Sequence, residues 1–357
     1  MTTVRRALWA STSPATRGGV ATYVRTMQDT PLWHTWHIHH VTTHRDGSAV
    51  AKVETFAVGA IRFVVELIRH RPDVVHLHSS AGASFVRKAI LLWTSWLARV
   101  PVVMHMHGSD FVAFHDGSPR PVRWVIRGTL RRARAVVALG DGWSLQLRRI
   151  APGARIVVVP NALRSADRVR QPGPGEPVRV VFLGRMGERK GTFRLLAAWE
   201  RMRADAAPAR AAVLTVAGDG EVDRARRWVD DHGLGASVDV RPWLSAREVA
   251  ALLDDAQVLV LPSRTEGQPM AILEAMARGM CVVAAPVGGI PDMIGDGCGV
   301  LVPADDVDAL STALRKVVED ERTRAGLGDA ARERFARTFD VDVVWRSIDS
   351  LYREVQR

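Results

Sequence analysis

The sequence predicts an α/β protein of two Rossmann-like domains, each a doubly wound parallel sheet, on three observations. Short apolar runs alternate with helix-length amphipathic segments along the whole chain. A Pro/Gly-rich stretch, SADRVRQPGPGEP at 165–177, breaks that alternation near mid-chain, as a linker does. The charge also changes sign there. Residues 1–165 carry 22 Lys and Arg against 8 Asp and Glu, whereas residues 166–357 carry 27 against 30. The expected organisation is a first domain over 1–164, a linker over 165–177, a second domain over 178–338 and a last helix over 339–357.

A chain of 357 residues, 47% hydrophobic and 24% charged, has enough material for two real cores. Its two cysteines, Cys281 and Cys298, argue against a disulfide framework and for a reducing, cytoplasmic setting. No secretory leader is expected, because the arginines near the start lack an apolar segment behind them. The longest apolar run, 89–98, is too short to span a bilayer and is flanked by Arg87, Lys88 and Arg99.

In the first half, a strand is expected at 4–9. A loop containing Gly18 and Gly19 follows, then a helix over 20–28. Adjacent glycines at a strand-to-helix turn let the backbone approach a ligand, although a tight turn alone would also use them. Residues 33–44 alternate as a strand would. The runs 73–77 and 101–107, separated by a helix over 83–99, form the strand–helix–strand unit of a parallel sheet. Both runs end in His-x-His: His76 and His78, then His105 and His107. Alternate strand residues share a face, which is a spacing a metal site would use. No Cys or Glu joins them at ligand spacing, and histidines at strand ends also line polar clefts, so no metal is expected. A basic helix over 120–134 and strands at 135–139 and 156–159 complete this half.

The second half restarts the pattern, with strands at 178–183, 213–217, 237–240, 258–261 and 281–284. Helices are expected at 192–203, 221–232, 245–254, 269–278 and 305–319. After its first strand comes GRMGERKGT, which supplies Gly184 and Gly187 for close backbone approach and Arg185 and Lys190 as cations. A forked guanidinium with a compact ammonium suits a diphosphate without a metal. A second glycine turn, AGDGE, holds Gly218 and lacks the third glycine of a dinucleotide fingerprint.

The stretch EGQPMAILE, 266–274, follows the buried run 258–261. Pro269 suits a helix start and Gly279 a helix stop. The amides of Met270 and Ala271, beside Gln268, then lie at the positive end of a helix dipole, where a phosphate binds. Glu266 and Glu274 can each accept two hydrogen bonds from a vicinal diol. A capped surface helix would carry similar acids, but the loop after a buried strand is where open α/β sheets hold ligands. Two carboxylates could also be the acid–base pair of a glycosidase, but that pair needs no cations, and here cations lie nearby in the sequence.

These features together resemble the retaining glycosyltransferases of family 4, which have the GT-B fold. The match comprises GG at 18–19, HGSD at 107–110, PN at 160–161, GRxxxxKG at 184–191 and GDG at 218–220. It continues with EGxPxxxxEAMA at 266–277 and GGIPD at 288–292. The resemblance implies two domains facing across a cleft and a last helix crossing back to the first. It implies that Arg185 and Lys190 bind the donor diphosphate, Glu266 the sugar hydroxyls and Glu274 the ribose. It also implies that His107 faces the sugar and that the Gly18–Gly19 loop closes over the diphosphate. The linker reads PNALR where PNGVD is commoner, and Pro242 and Trp243 stand where a glycine is commoner near the base.

The expected activity is metal-independent, retaining hexosyl transfer from a nucleotide diphosphate sugar, with no cofactor. The first half, with VHLHSS and HMHGSDF, is most similar to enzymes that build bacterial exopolysaccharides on a polyprenyl diphosphate carrier. Catalytic candidates are His107, Arg185, Lys190 and Glu266. Donor-binding candidates are Gly18, Gly19, Arg185, Lys190, Gly218, Gln268, Met270, Ala271 and Glu274. The basic first half, with Trp93 and Trp96 beside Arg87, Lys88 and Arg99, is expected to meet an anionic membrane surface on its inner face. Nucleic acid is not an expected partner, since no stacking platform accompanies the charge. A nucleotide-sugar-binding partner protein without turnover, and a hydrolase or epimerase on the same fold, are the alternatives.

Overall fold

The computed structural model describes residues 5–205, 211–295 and 297–356. They form two compact units: Met1–Leu163 with Val341–Arg357, and Arg164–Asp340. In the first, strands β1 (Ala7–Thr12), β2 (His39–His44), β3 (Val74–Ser79), β4 (Val102–Met106), β5 (Ala135–Ala138) and β6 (Ile156–Val158) form one sheet. Its order is β2-β1-β3-β4-β5-β6 and every pairing is parallel. The connecting helices are α1 (Gly19–Gln28), α2 (Pro31–Thr35), α3 (Ala49–His70), α4 (Ala83–Leu97), α5 (Phe111–Gly117), α6 (Arg120–Arg132) and α7 (Asp141–Ile150). A parallel sheet buried on both faces needs apolar runs rather than alternation, and β3, β4 and β5 are buried at every position.

The second unit repeats the plan with β7 (Val178–Leu183), β8 (Ala212–Ala217), β9 (Val238–Arg241), β10 (Val258–Leu261), β11 (Cys281–Ala284) and β12 (Val300–Leu301). The order is β12-β11-β10-β7-β8-β9, again all parallel. Its helices are α8 (Thr192–Asp205), α9 (Val222–Asp231), α10 (Ala246–Asp254), α11 (Met270–Ala277), α12 (Ile290–Ile294), α13 (Val307–Glu319) and α14 (Glu321–Thr338). Helix α10 starts with a reciprocal capping box between Ser245 and Glu248, which satisfies two otherwise orphaned amides. The final helix, α15 (Val341–Val355), belongs to the first unit. Segment 165–177 has no regular element but is tied into the second unit. The Val169 amide donates to the Arg278 carbonyl, and the Gln257 side chain donates to the Arg170 carbonyl.

Two local expectations change. Residues 33–44 do not form one strand: Pro31 opens α2, His37 turns with φ 38°, and only His39–His44 joins the sheet. The alternating Trp, His and Ile belong partly to a helix that buries Leu32, with Trp36 buried at its end. The first strand lies at Ala7–Thr12 rather than 4–9, because Ser11 and Thr12 pair with β2 despite their polar side chains. Residue 4 lies outside the described residues.

A row of aromatic and histidine rings fastens α15 to the first sheet. Trp9 Nε1 donates to the Tyr352 hydroxyl at 2.7 Å, and that oxygen lies 2.5 Å from His76 Nδ1. His76 Nε2 meets His105 Nδ1 at 3.2 Å, and His78 Nδ1 meets His107 Nε2 at 3.0 Å. Trp36 Nε1 donates to Asp349 at 2.7 Å, a second polar tie to α15. Burial makes charge costly in this row. It pushes His76 down to about 3 and His107 down to about 4, with His78 and His105 also held well below the usual range.

Acid should therefore unfold the first unit before ordinary carboxylates titrate. Each ring binds protons better unfolded, near pH ~6.5, so its contribution is complete above that pH and is lost as pH falls toward the folded values. The slope is about 1.4 kcal/mol per pH unit for each ring in its window. Glu274, in the second unit, opposes this with one group, since burial raises it to about 7. Urea midpoints measured from neutrality to mildly acid pH should fall steadily; a flat profile would mean the rings are not buried and neutral.

Candidate functional site

The second sheet reverses its winding between β10 and β7, and Arg185, Lys190, Glu266 and Gln268 of the expected site residues lie on the turns that leave those two strands, with Met270, Ala271 and Glu274 on the helix that follows β10. That is the place where open parallel sheets bind ligands. The turn after β7 runs through Gly184 into a single 3-10 turn, Glu188–Lys190, and α8. The turn after β10 carries Glu266, Gly267 and Gln268 into α11, with Pro269 as the residue before its first turn.

An ion pair joins the two turns. Lys190 Nζ donates to Glu266 Oε1 at 2.5 Å, with side-chain exposures of 15% and 6%. Side chains from the same 3-10 turn and α8 reinforce it: Arg189 donates to the Thr265 carbonyl and Arg194 to the Pro262 carbonyl. Removing either partner of a buried pair leaves an uncompensated charge, so each residue holds the other in place. Arg185 stands exposed one residue after Gly184, with no acidic partner among the described residues. Lys190 has two further N–H donors and Arg185 five. Together with the first amides of α11 they make a positive edge suited to a diphosphate.

Glu274 lies one turn inside α11, half-buried, and no hydrogen bond to its carboxylate is found among the described residues. Burial raises its carboxyl to about 7, against the lowering effect of the Arg278 guanidinium. Arg278 itself is turned to Asp254, to which its Nε donates at 2.8 Å. Gln268 is buried, while Met270 and Ala271 are partly exposed at the helix start.

Gly218 has a packing role in addition to the one the sequence suggested. A Cβ on Gly218 would fall 1.9 Å from the Gly184 carbonyl oxygen, so the turns after β7 and β8 touch backbone to backbone. Gly218, expected to approach a ligand, is needed for packing between turns. The second glycine pair acts on the ion-pair loop: a Cβ on Gly288 would fall 1.7 Å from the Glu266 carbonyl oxygen, at φ +57°. GGIPD is visible in the sequence as a motif, but its role in seating that loop appears only in the fold.

The first unit holds the remaining candidates. Gly18, at φ 108°, precedes α1, and a Cβ there would meet nothing within 4 Å. Gly19 is the first residue of α1. His107 follows β4, with its Nε2 3.0 Å from His78 Nδ1 and the Asn161 side chain beside its ring. Asn161 lies in the Pro-Asn pair that the sequence offered without a function. Lys88, counted among exposed basic residues, is buried instead and donates to Thr43 Oγ1 at 2.5 Å. Desolvation, with Arg87 adding to it, lowers it to about 7.

His76, His78 and His105 bring one ring nitrogen each within 4.8 Å of one another, the nearest approach to a metal-binding group among the described residues. Both nitrogens of His76 and one of His78 are already engaged by Tyr352, His105 and His107. Nε2 of His78 and Nε2 of His105 are buried without a hydrogen-bond partner among the described residues, so only part of the cluster is used in fastening rings to each other.

Comparison with known proteins gives the same assignment from both halves. The family model for glycosyl transferases group 1 matches residues 164–334, and that for a glycosyl transferase 4-like domain matches residues 38–162. The chain is 30% identical over 239 residues to a putative colanic acid biosynthesis glycosyltransferase, WcaL, of Salmonella typhimurium. The match covers 63% of this chain and 58% of that protein, less than two thirds of its length. It is 30% identical over 300 residues to the 2-deoxystreptamine N-acetyl-D-glucosaminyltransferase of Streptomyces fradiae, covering 78% of this chain and 70% of the other. Among solved structures, Anabaena HepE in complex with UDP and glucose superposes with a TM-score of 0.74 at 17% identity, covering 98% and 100% of the two chains. Its fold is thus shared by both units of this chain. The chain belongs to the glycosyl transferases group 1 family.

Proposed function

We propose that the chain transfers a hexose, with retention of the anomeric configuration, from a nucleoside diphosphate sugar to a saccharide acceptor. The observation that carries this reading is the buried Lys190–Glu266 pair at the winding reversal, beside the start of α11. Transfer of this kind requires negative charge on the departing diphosphate to be absorbed. Arg185, Lys190 and the amides of Met270 and Ala271 do so by electrostatic preorganisation. Glu266 takes the sugar hydroxyls while its bond to Lys190 fixes its position. Glu274, in its ionised form, accepts both hydroxyls of the ribose. His107 is held neutral by burial, so that it acts through a hydrogen bond rather than a charge. No metal is assigned, because two side-chain cations and a helix start supply the charge a metal would.

The acceptor we assign is a saccharide on a polyprenyl diphosphate carrier at the inner face of the membrane, in surface or exopolysaccharide assembly. The relatedness to a protein of colanic acid biosynthesis supports it. HepE, seen with UDP and glucose, favours a uridine donor. A binding protein without turnover is the second reading, and donor consumption in the presence of acceptor separates the two.

Calorimetry with the bare nucleoside diphosphate and with its sugar distinguishes the two glutamates. Glu274→Ala should weaken bare nucleotide by roughly 1–3 kcal/mol, the range for a hydrogen bond to a charged group. Wild-type affinity should rise with pH through about 7, as Glu274 ionises, and lose that dependence in the variant. Glu266→Ala frees Lys190 and should leave bare nucleotide as tight or tighter, while removing the gain from the sugar. Equal losses of bare nucleotide in both variants would reverse the assignments. Excess chelator should leave the transfer rate unchanged; a loss restored by Mn²⁺ or Zn²⁺ would replace the side-chain cations with a metal.

A further inference from the structure

The outer surface of the first unit is apolar where a monomer's surface is ordinarily polar. Helices α3, α4 and α6 pack side by side on one face of the sheet, sharing a core that includes Phe63, Phe85, Leu92 and Ile126. Their other sides point outward. On α3, Val50, Val53, Ile61 and Ile68 are 77%, 69%, 66% and 68% exposed. At 100° per residue these four, with Ala57 and Val65, fall on one stripe about five turns long, opposite the buried Gly59, Phe63 and Leu67. Helix α4 continues the pattern with exposed Val86, Ile90 and Leu97, and α6 with Trp124 at 73%. Scattered exposed hydrophobic residues need no explanation, but two adjacent helices with outward apolar stripes, beside a third that exposes a tryptophan, do.

The charge around this face is mostly positive. Neither α4 nor α6 contains an acidic residue, while α6 carries Arg120, Arg123, Arg127, Arg131 and Arg132. Of the two acids on α3, Glu66 is engaged by His39 and His70, and Glu54 faces Arg45 at 3.8 Å. At the edge of the face Arg132 stacks on Trp93, 4.2 Å from its centroid, and lies 5.2 Å from that of Trp96. A groove of about 560 Å³ opens there, lined by Trp96, Leu97, Arg99, Arg132 and Arg134 among others. Arginine forks beside indole rings suit phosphate headgroups at the level where apolar chains begin.

We propose that the α3–α4–α6 face is a docking surface for an anionic lipid bilayer, with the α3 stripe lying in the interface and the arginines of α6 on the headgroups. Among the described residues no helix is long and apolar enough to cross a membrane, so the attachment is peripheral and reversible. The surface differs from the one read off the sequence: Lys88 is inside the fold, and α3 supplies most of the apolar area. The proposal deepens the lipid-linked acceptor reading and rests on it for its purpose, while nucleotide binding reports on the second unit alone.

The test is co-sedimentation of the full chain with phosphatidylcholine vesicles, with and without phosphatidylglycerol, for wild type and two variants. Ile61→Glu with Ile68→Glu alters two outward positions, and Arg127→Ser with Arg131→Ser removes two of the α6 charges. Wild type should bind only the anionic vesicles and release with salt. The Glu pair should bind at least about tenfold more weakly, as expected when charge enters an interface. The Ser pair should also bind more weakly. Unchanged melting temperatures and nucleoside diphosphate affinity show that both units remain folded. Equal binding by wild type and the Glu pair, or no binding to either vesicle, overturns the proposal. A wild-type dimer that the Glu pair converts to monomer, without vesicle binding, assigns the face to a second copy of this chain and overturns it too. Absence of nucleotide affinity in wild type would sink the donor reading while leaving the vesicle result standing.

Discussion

A single buried ion pair, Lys190 with Glu266, sets the shape of the second unit's candidate site. It ties the turn after β7 to the turn after β10, neighbouring strands at which the sheet reverses its winding. Such a pair is poor evidence of stability, since desolvating two charges offsets most of their attraction. Its value is positional. An ammonium and a carboxylate with open valences are held at fixed places before any ligand arrives, which is what electrostatic preorganisation requires. The glycines serve the same end. Gly184 against Gly218, and Gly288 against the Glu266 carbonyl, let these turns approach more closely than any side chain permits.

The first unit is organised around neutrality instead of charge. Four histidines, two tyrosines and Trp9 stack along the ends of β1, β3 and β4 and beneath α15. Burial keeps the imidazoles uncharged, so the row acts as a hydrogen-bonded core that fastens the last helix to the first sheet. His107 is the end of that row, beside Asn161. A histidine so placed is restrained in orientation and depleted of charge.

How much was legible in the sequence follows from how local each feature is. Strands such as VLVL at β10 and CVVA at β11 are fully buried and read directly as apolar runs. EGQPMAILE disclosed its helix start because Pro269 carries its own backbone preference. The segment 33–44 misled because alternation of Trp, His and Ile has no way of showing that Pro31 starts a helix packed on the sheet. Gly218 was recognisable as a turn, but its partner, the Gly184 carbonyl, is set by the register of β7 with β8. Lys88 looked like surface charge because nothing nearby in sequence reports that it points to Thr43. Residues 49–70 received no element from the sequence, and the apolar residues of α3 lie on both its buried and its outward sides, a pattern that does not show which side faces water.

Arg185 and Lys190, on the reading proposed for the second unit, hold the donor through its diphosphate. Titration of nucleoside diphosphate and nucleoside monophosphate into wild type and Arg185→Ser tests this directly, since Arg185 is exposed and has no acidic partner among the described residues. Wild type should prefer the diphosphate by roughly tenfold or more, the worth of one charge-assisted hydrogen bond, and the variant should lose most of that preference while its monophosphate affinity stays the same. A preference that survives intact in Arg185→Ser, or a loss equal for both nucleotides, would contradict the claim.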